Sequence, residues 1–128
     1  MIKSYRDLKV WQKAMDLVVM CYQMTRKFPK NEVFGLASQL QRAAVSVPSN
    51  IAEGHQRWHS KEFLHHLSIA YASLAELETH AEIACRLNYI DENNASTVLN
   101  QAAEIGMMIN GLRKSITSRN QRSVASRQ

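Results

Sequence analysis

Arg42-Ala-Ala-Val-Ser-Val-Pro-Ser-Asn-Ile-Ala-Glu-Gly54 decides how this chain is read. Ala44, Val47 and Ile51 recur at steps of three and four, the spacing that places side chains on one face of a helix. On a wheel of about 100° per residue, Gln39, Arg42, Ser46, Ser49, Asn50, Glu53 and Arg57 fall nearly opposite, within an arc of roughly 100°. Pro48 is discordant. It has no N–H for the Ala44 carbonyl, and its ring crowds the preceding turn. Because the apolar pattern runs unshifted through Ile51, the reading is a kinked helix rather than two helices.

Working outward, Val33, Leu36, Ala37 and Leu40 extend this apolar face toward the N-terminus, giving a helix over 32–54. Asn31 is its expected cap, and Gly54 its left-handed stop. The small residues Ala43, Ala44 and Ala52 leave room for another helix to approach. Before it, Phe28-Pro29-Lys30-Asn31 breaks a first helix over 7–27, capped by Ser4 or Asp7. Trp11, Ala14, Val18, Cys21, Thr25 and Phe28 make its seam, with Val10, Leu17 and Met24 beside it. Met15, Val19 and Tyr22 widen the apolar surface beyond what one bundle core requires, which points to burial against a second subunit.

After Gly54, Ser60 caps a third helix over 60–88, with Phe63, Leu67, Ala70, Leu74, Leu77, Ala81, Ala84 and Leu87 inward. A short turn leads to a fourth helix over 94–115, with Val98, Ala102, Ile105, Ile109 and Leu112 inward. Gly106 and Gly111 weaken it locally. Residues 118–128 offer almost nothing to bury and read as a disordered basic tail. The expected fold is therefore all-α: one domain over 1–117, an antiparallel up-down-up-down four-helix bundle.

Composition supports this and excludes several classes. The chain has 128 residues, 45% hydrophobic, with only 4 Gly and 2 Pro, enough to bury a real core. No apolar run approaches the roughly 20 residues that span a bilayer. The first residues lack the apolar core of a secretory signal, so a cytoplasmic protein without membrane attachment is expected. Cys21 and Cys85 sit in apolar helical patterns and read as reduced, buried thiols. Asn94-Ala-Ser96 matches a glycosylation acceptor, which has no meaning without secretion.

No catalytic constellation is present, and no enzyme, cofactor or metal is expected. Ser46, Ser49 and Ser60 have neither a Gly-x-Ser-x-Gly setting nor an evident base. Glu62-x-x-His65 is half of a di-iron bundle motif and should point away from the Phe63/Leu67 seam. His55, His59, His65, His66 and His80 read as surface histidines.

Seen together, the motifs form an ordered series: Tyr5-x-Asp-Leu-x-Val-Trp-Gln-x-Ala14, Phe28-Pro-x-x-Glu32, Phe34-Gly-Leu36, Gln41-Arg-Ala-Ala44, Asn50-Ile-Ala-Glu-Gly54, Phe63-x-x-x-Leu67-x-Ile-Ala70 and Ser73-x-x-Glu76-Leu-Glu78. Over roughly residues 5–112 the chain resembles the four-helix-bundle family of proteins encoded in intervening sequences of bacterial large-subunit ribosomal RNA genes. The accessory variability protein of diversity-generating retroelements looks like a relative. The resemblance implies a homopentamer of bundles arranged as a barrel and a role in nucleic-acid binding. For the retroelement branch it implies a reverse-transcriptase partner. Those retroelement relatives are strongly basic, whereas the middle of this chain is acidic.

That charge is unevenly placed. The formal net charge is +5. Residues 1–31 carry seven Lys/Arg against two Asp, 32–112 carry four against nine Asp/Glu, and 113–128 carry five and no acid. Candidate nucleic-acid contacts are therefore at the ends: Lys3, Arg6, Lys9, Lys13, Arg113, Lys114, Arg119, Arg122 and Arg127. The mixed-charge stripe of Arg42, Ser46, Asn50, Glu53 and Arg57 reads as a hydrogen-bonded contact between helices or subunits, since a phosphate track would be all basic. The expected partners are the chain itself and RNA or DNA. The competing expectation is a protein-binding scaffold or accessory subunit that binds no nucleic acid.

Overall fold

A computed structural model describes residues 4–127, and the side chains of residues 4–120. It is all-helical. Four α-helices, α1 (Lys9–Thr25), α2 (Leu36–Gln56), α3 (Ser60–Arg86) and α4 (Glu92–Arg127), are joined by short turns, with no strand among the described residues. Each helix packs on its sequence neighbours and α4 closes back on α1, the cyclic order of an antiparallel four-helix bundle.

Most of the rows predicted from spacing form the core. Val33, which precedes α2, and Leu87, at the end of α3, are expected inward but stand 54% and 50% exposed, because the helices do not include them. Leu17, Leu40, Ile51, Leu67, Leu77, Ile105 and Ile109 are fully buried, each contributing roughly 1.5–3 kcal/mol by leaving water. Within α1 the inner row is Val10, Ala14, Leu17, Cys21 and Met24, while Trp11 and Val18 are half-buried. Met15, Val19 and Tyr22 stand 40%, 55% and 42% exposed.

The helix ends differ from expectation in instructive ways. Ser4 caps a short 3-10 turn over Tyr5–Asp7, its Oγ accepting from the Arg6 N–H at 3.1 Å, and α1 starts after it at Lys9. A second 3-10 turn, Lys30–Glu32, delays α2 to Leu36. Asn31 does not cap it. Instead one Glu32 carboxylate oxygen accepts from the Leu36 N–H at 3.3 Å, and the other accepts from the Tyr89 hydroxyl at 2.8 Å. That side chain thus satisfies a free helix-end donor and ties α2 to the α3–α4 turn. Pro48 is buried inside an uninterrupted α2.

Gly54 does not stop α2. It is buried within the helix, and no glycine has a positive φ. The left-handed residue of this turn is Trp58, at φ 67°. Ser60 is the first residue of α3, and His59 stands at the cap position without a side-chain bond. At the other end of α3, Asn88 takes φ 62°. The Asn88 N–H bonds the Cys85 carbonyl and the Tyr89 N–H bonds the Ala84 carbonyl, a Schellman closure.

The helical backbone of α4 continues from Glu92 to Arg127. It runs past the expected boundary at 115 and through the stretch expected to be disordered. No Gly or Pro follows Gly111. In a helix already nucleated, each added residue gains a hydrogen bond at little cost.

Candidate functional site

Two arrangements concern function, one lying between α2 and α3 and one at a pole of the bundle. The first is a polar chain. Ser73 Oγ on α3 donates to Ser46 Oγ on α2 at 2.8 Å. Asn50 Nδ2 donates to the Ser46 carbonyl at 2.8 Å and lies 3.0 Å from Ser46 Oγ. Asn50 Oδ1 faces His66 Nδ1 at 3.0 Å. His66 Nδ1 lies 4.0 Å from Glu53, whose other oxygen takes the Arg57 guanidinium at 3.0 Å. Three of the five stripe residues, Ser46, Asn50 and Glu53, thus meet His66 or Ser73 of the neighbouring helix, and Arg57 joins through Glu53.

Arg42 is not part of that chain. It is exposed, forms no ion pair among the described residues, and lines a groove between α1 and α2 with Tyr22, Ser38, Gln41, Val45 and Ser46. His66 and His80, read as surface residues, are largely covered, their side chains 13% and 11% exposed. Each lies near the buried row of α3, so a ring reaches inward although its Cα does not. A cue existed for His66: the amide oxygen of Asn50 needed a donor, and a facing helix could supply one.

The second arrangement follows from topology. In an up-down-up-down bundle the start of α1, the α2–α3 turn and the late part of α4 share one pole. The pairs that cross between helices set this register: Thr25–Gln41, Asn50–His66, Tyr71–Arg113 and Lys13–Glu104. The start of α1 and the late part of α4 therefore lie toward the same end as Arg57, Trp58, His59 and Lys61. Ile116 is the last buried residue of α4 whose side chain is described, and residues 117–120 are exposed. A shallow groove there is lined by Asn110, Arg113, Lys114, Thr117 and Ser118.

The predicted basic residues are not equivalent. Arg6 lies 5.6 Å from the centroids of both Tyr5 and Trp11, and Arg113 lies 5.7 Å from Tyr71. Lys13 pairs with Glu104 across α1 and α4 at 2.9 Å. Lys9, Lys114 and Arg119 are exposed and form no ion pair among the described residues. Lys3, and the side chains of Arg122 and Arg127, lie outside the described residues.

Among the described residues no group of three or more His, Cys, Asp or Glu could hold a metal, and no helix is long and apolar enough to cross a membrane. The two cysteines are unpaired. Burial pushes the Cys21 thiol up to about 12, which keeps it out of the nucleophilic thiolate form at neutral pH.

An all-helical four-helix bundle with a polar chain between α2 and α3 is the class of protein these features define. The family model of the 23S rRNA-intervening sequence proteins matches residues 6–111. The chain belongs to that family. Its fold is similar to that of a solved protein of unknown function from the S23 ribosomal protein family of Bacteroides thetaiotaomicron. The TM-score is 0.74 at 24% identity, over 82% of this chain and 98% of that one. No curated protein matches it.

Proposed function

We propose that this protein is a non-catalytic, cytoplasmic, homo-oligomeric bundle that binds RNA or DNA through the cationic pole. The observation that carries the reading is the convergence of Arg6, Lys9, Lys61, Arg113, Lys114 and Arg119 at one end by the helix topology. Glu76 and Glu82 are exposed along α3, while the far pole is mixed, with Arg26, Lys27 and Lys30 exposed beside Asp91 and Glu92.

Fluorescence anisotropy with labelled RNA and DNA across a salt series tests this. Affinity should fall steeply as salt rises, because phosphate contacts release counterions. Replacing Lys9, Lys114 or Arg119 by Ala should weaken binding to all sequences alike and lower the magnitude of the salt slope by about one per residue. No binding at low salt removes the reading.

Self-association is supported by the exposed apolar residues of α1, Met15, Val19 and Tyr22, with Val45 of α2 also exposed. The family resemblance implies five copies. Oligomerisation would multiply each pole's field and raise avidity without new contacts. Native mass measurement should give a pentamer, and a monomer would remove this part. The same apolar residues also serve the competing reading, a scaffold or accessory subunit. A stoichiometric protein recovered without nucleic acid would favour that one.

A further inference from the structure

We propose that Trp58 is a base-stacking platform, and that the ligand of the cationic pole is single-stranded nucleic acid rather than duplex. This rests on the nucleic-acid reading above and sharpens it.

Trp58 is 90% exposed. It also holds φ 67°, a left-handed backbone that a bulky residue rarely adopts. The other non-glycine residue with positive φ, Asn88, closes a helix and is of a type that tolerates the conformation. Trp58 likewise follows the C-cap of its helix, Arg57 of α2, but an indole is not of a type that tolerates the conformation. Its backbone is pinned between the Arg57 N–H bond to the Gly54 carbonyl at 3.3 Å and the Phe63 N–H bond to the His59 carbonyl at 2.9 Å. The turn therefore leaves a large indole in water on a backbone conformation that costs a bulky residue free energy.

Its surroundings select the ligand. The immediate neighbours in the chain are Arg57, which pairs with Glu53, and His59, with Lys61 two residues further on and Glu62 after it, all exposed. The other exposed large apolar residues lie elsewhere: Met15, Val19, Tyr22 and Val45 on α1 and α2, Val33, Phe34 and Leu87 at the far pole, and Ile69, Tyr71, Ile83 and Met107 along α3 and α4. A protein-binding hot spot is ringed by apolar contacts that exclude water. A solitary exposed aromatic with Arg57 and Lys61 close by in the chain matches the way single strands are held, with bases on a ring and phosphates on Lys and Arg. A duplex keeps its bases stacked on one another and gives the indole no face to cover.

The test compares a labelled oligouridylate with an RNA duplex of equal length at one low salt concentration, for wild type, W58A and W58F. Trp58 is nearly free of packing, so the variants should melt with wild type. W58A should lose roughly tenfold or more on the single strand, W58F should keep most of the affinity, and duplex binding should not change. Tryptophan quenching on adding the oligomer should disappear in W58A. If W58A binds the single strand as wild type does, or weakens equally on both ligands, the stacking role falls while nucleic-acid binding stands. If wild type binds neither ligand, the broader reading falls with it. If W58A keeps nucleic acid but releases a co-purifying protein, Trp58 is a protein contact and the inference is overturned.

Discussion

Gly54 of α2 and His66 of α3 approach so closely that a Cβ added to the glycine would lie 2.7 Å from the Cβ of His66, with Phe63 atoms at 3.0 and 3.3 Å. The neighbours include backbone, so the helices would have to part. Gly54→Ala should destabilise the protein by about 1–3 kcal/mol despite the better helix propensity of alanine. Gly111 is the internal control. Nothing lies within 4 Å of the same added atom there, and Gly111→Ala should stabilise by about 0.5–1 kcal/mol. Urea unfolding of both variants checks the pair, and stabilisation by both would contradict the close approach.

Asn50 joins Ser46 on its own helix to His66 on the next. Replacing it with leucine leaves the His66 ring nitrogen and the Ser46 hydroxyl with fewer partners in a half-buried place. The expected cost is about 1–3 kcal/mol. A double-mutant cycle with His66→Ala should show that most of this cost is shared between the two residues. Independent, additive losses would mean that the 3.0 Å approach contributes nothing.

Tyr89 donates to Glu32 at 2.8 Å. That hydrogen bond, with smaller help from burial and from the charge of Glu32, holds the phenol above its ordinary value of 10.0. The folded protein therefore keeps this proton more tightly than the unfolded chain does. Its contribution to stability is complete below pH 10 and is lost as pH rises through the raised folded value. Absorbance titration should show one tyrosine ionising after the others, and Tyr89→Phe should remove that late step. Loss of the step without any change in alkaline stability would separate the bond from the fold.

Cys21 is wholly buried and Cys85 half-buried. With its thiol pushed up to about 12 by burial, Cys21 should resist alkylation at pH 8 in the native protein, while Cys85 reacts. Both should react after unfolding. Peptide mass mapping after a short iodoacetamide exposure distinguishes the sites, and early labelling of Cys21 would show that α1 leaves its groove.

Residue spacing alone was enough for the helices and their inward faces, because an apolar row at steps of three and four has one good solution in water. The rows through Leu17, Leu40, Leu67 and Ile105 are all core rows. The ends of the helices were less legible. Asn31, Gly54 and Ser60 carry the right chemistry for caps and stops, yet Glu32 took the first duty, Gly54 was needed where α2 and α3 touch, and Ser60 became the first residue of α3. Of these, the role of Gly54 depended on His66 and Phe63, neighbours on another helix. His66 looked like a surface residue for the same reason, since its partner Asn50 lies 16 positions away.

By itself, then, the sequence determined an all-helical bundle, the charged character of its two ends and the absence of a recognised catalytic motif. These are properties of local periodicity and composition. Only the tertiary structure decided that the start of α1 and the late part of α4 lie toward the same end as Trp58, that Ser46, Asn50 and Glu53 face His66 and Ser73, and that Arg42 stands apart from them. The physical reason is the same in each case. Antiparallel packing sets which residues of different helices stand at one level, and the pattern within a single helix carries no record of that register.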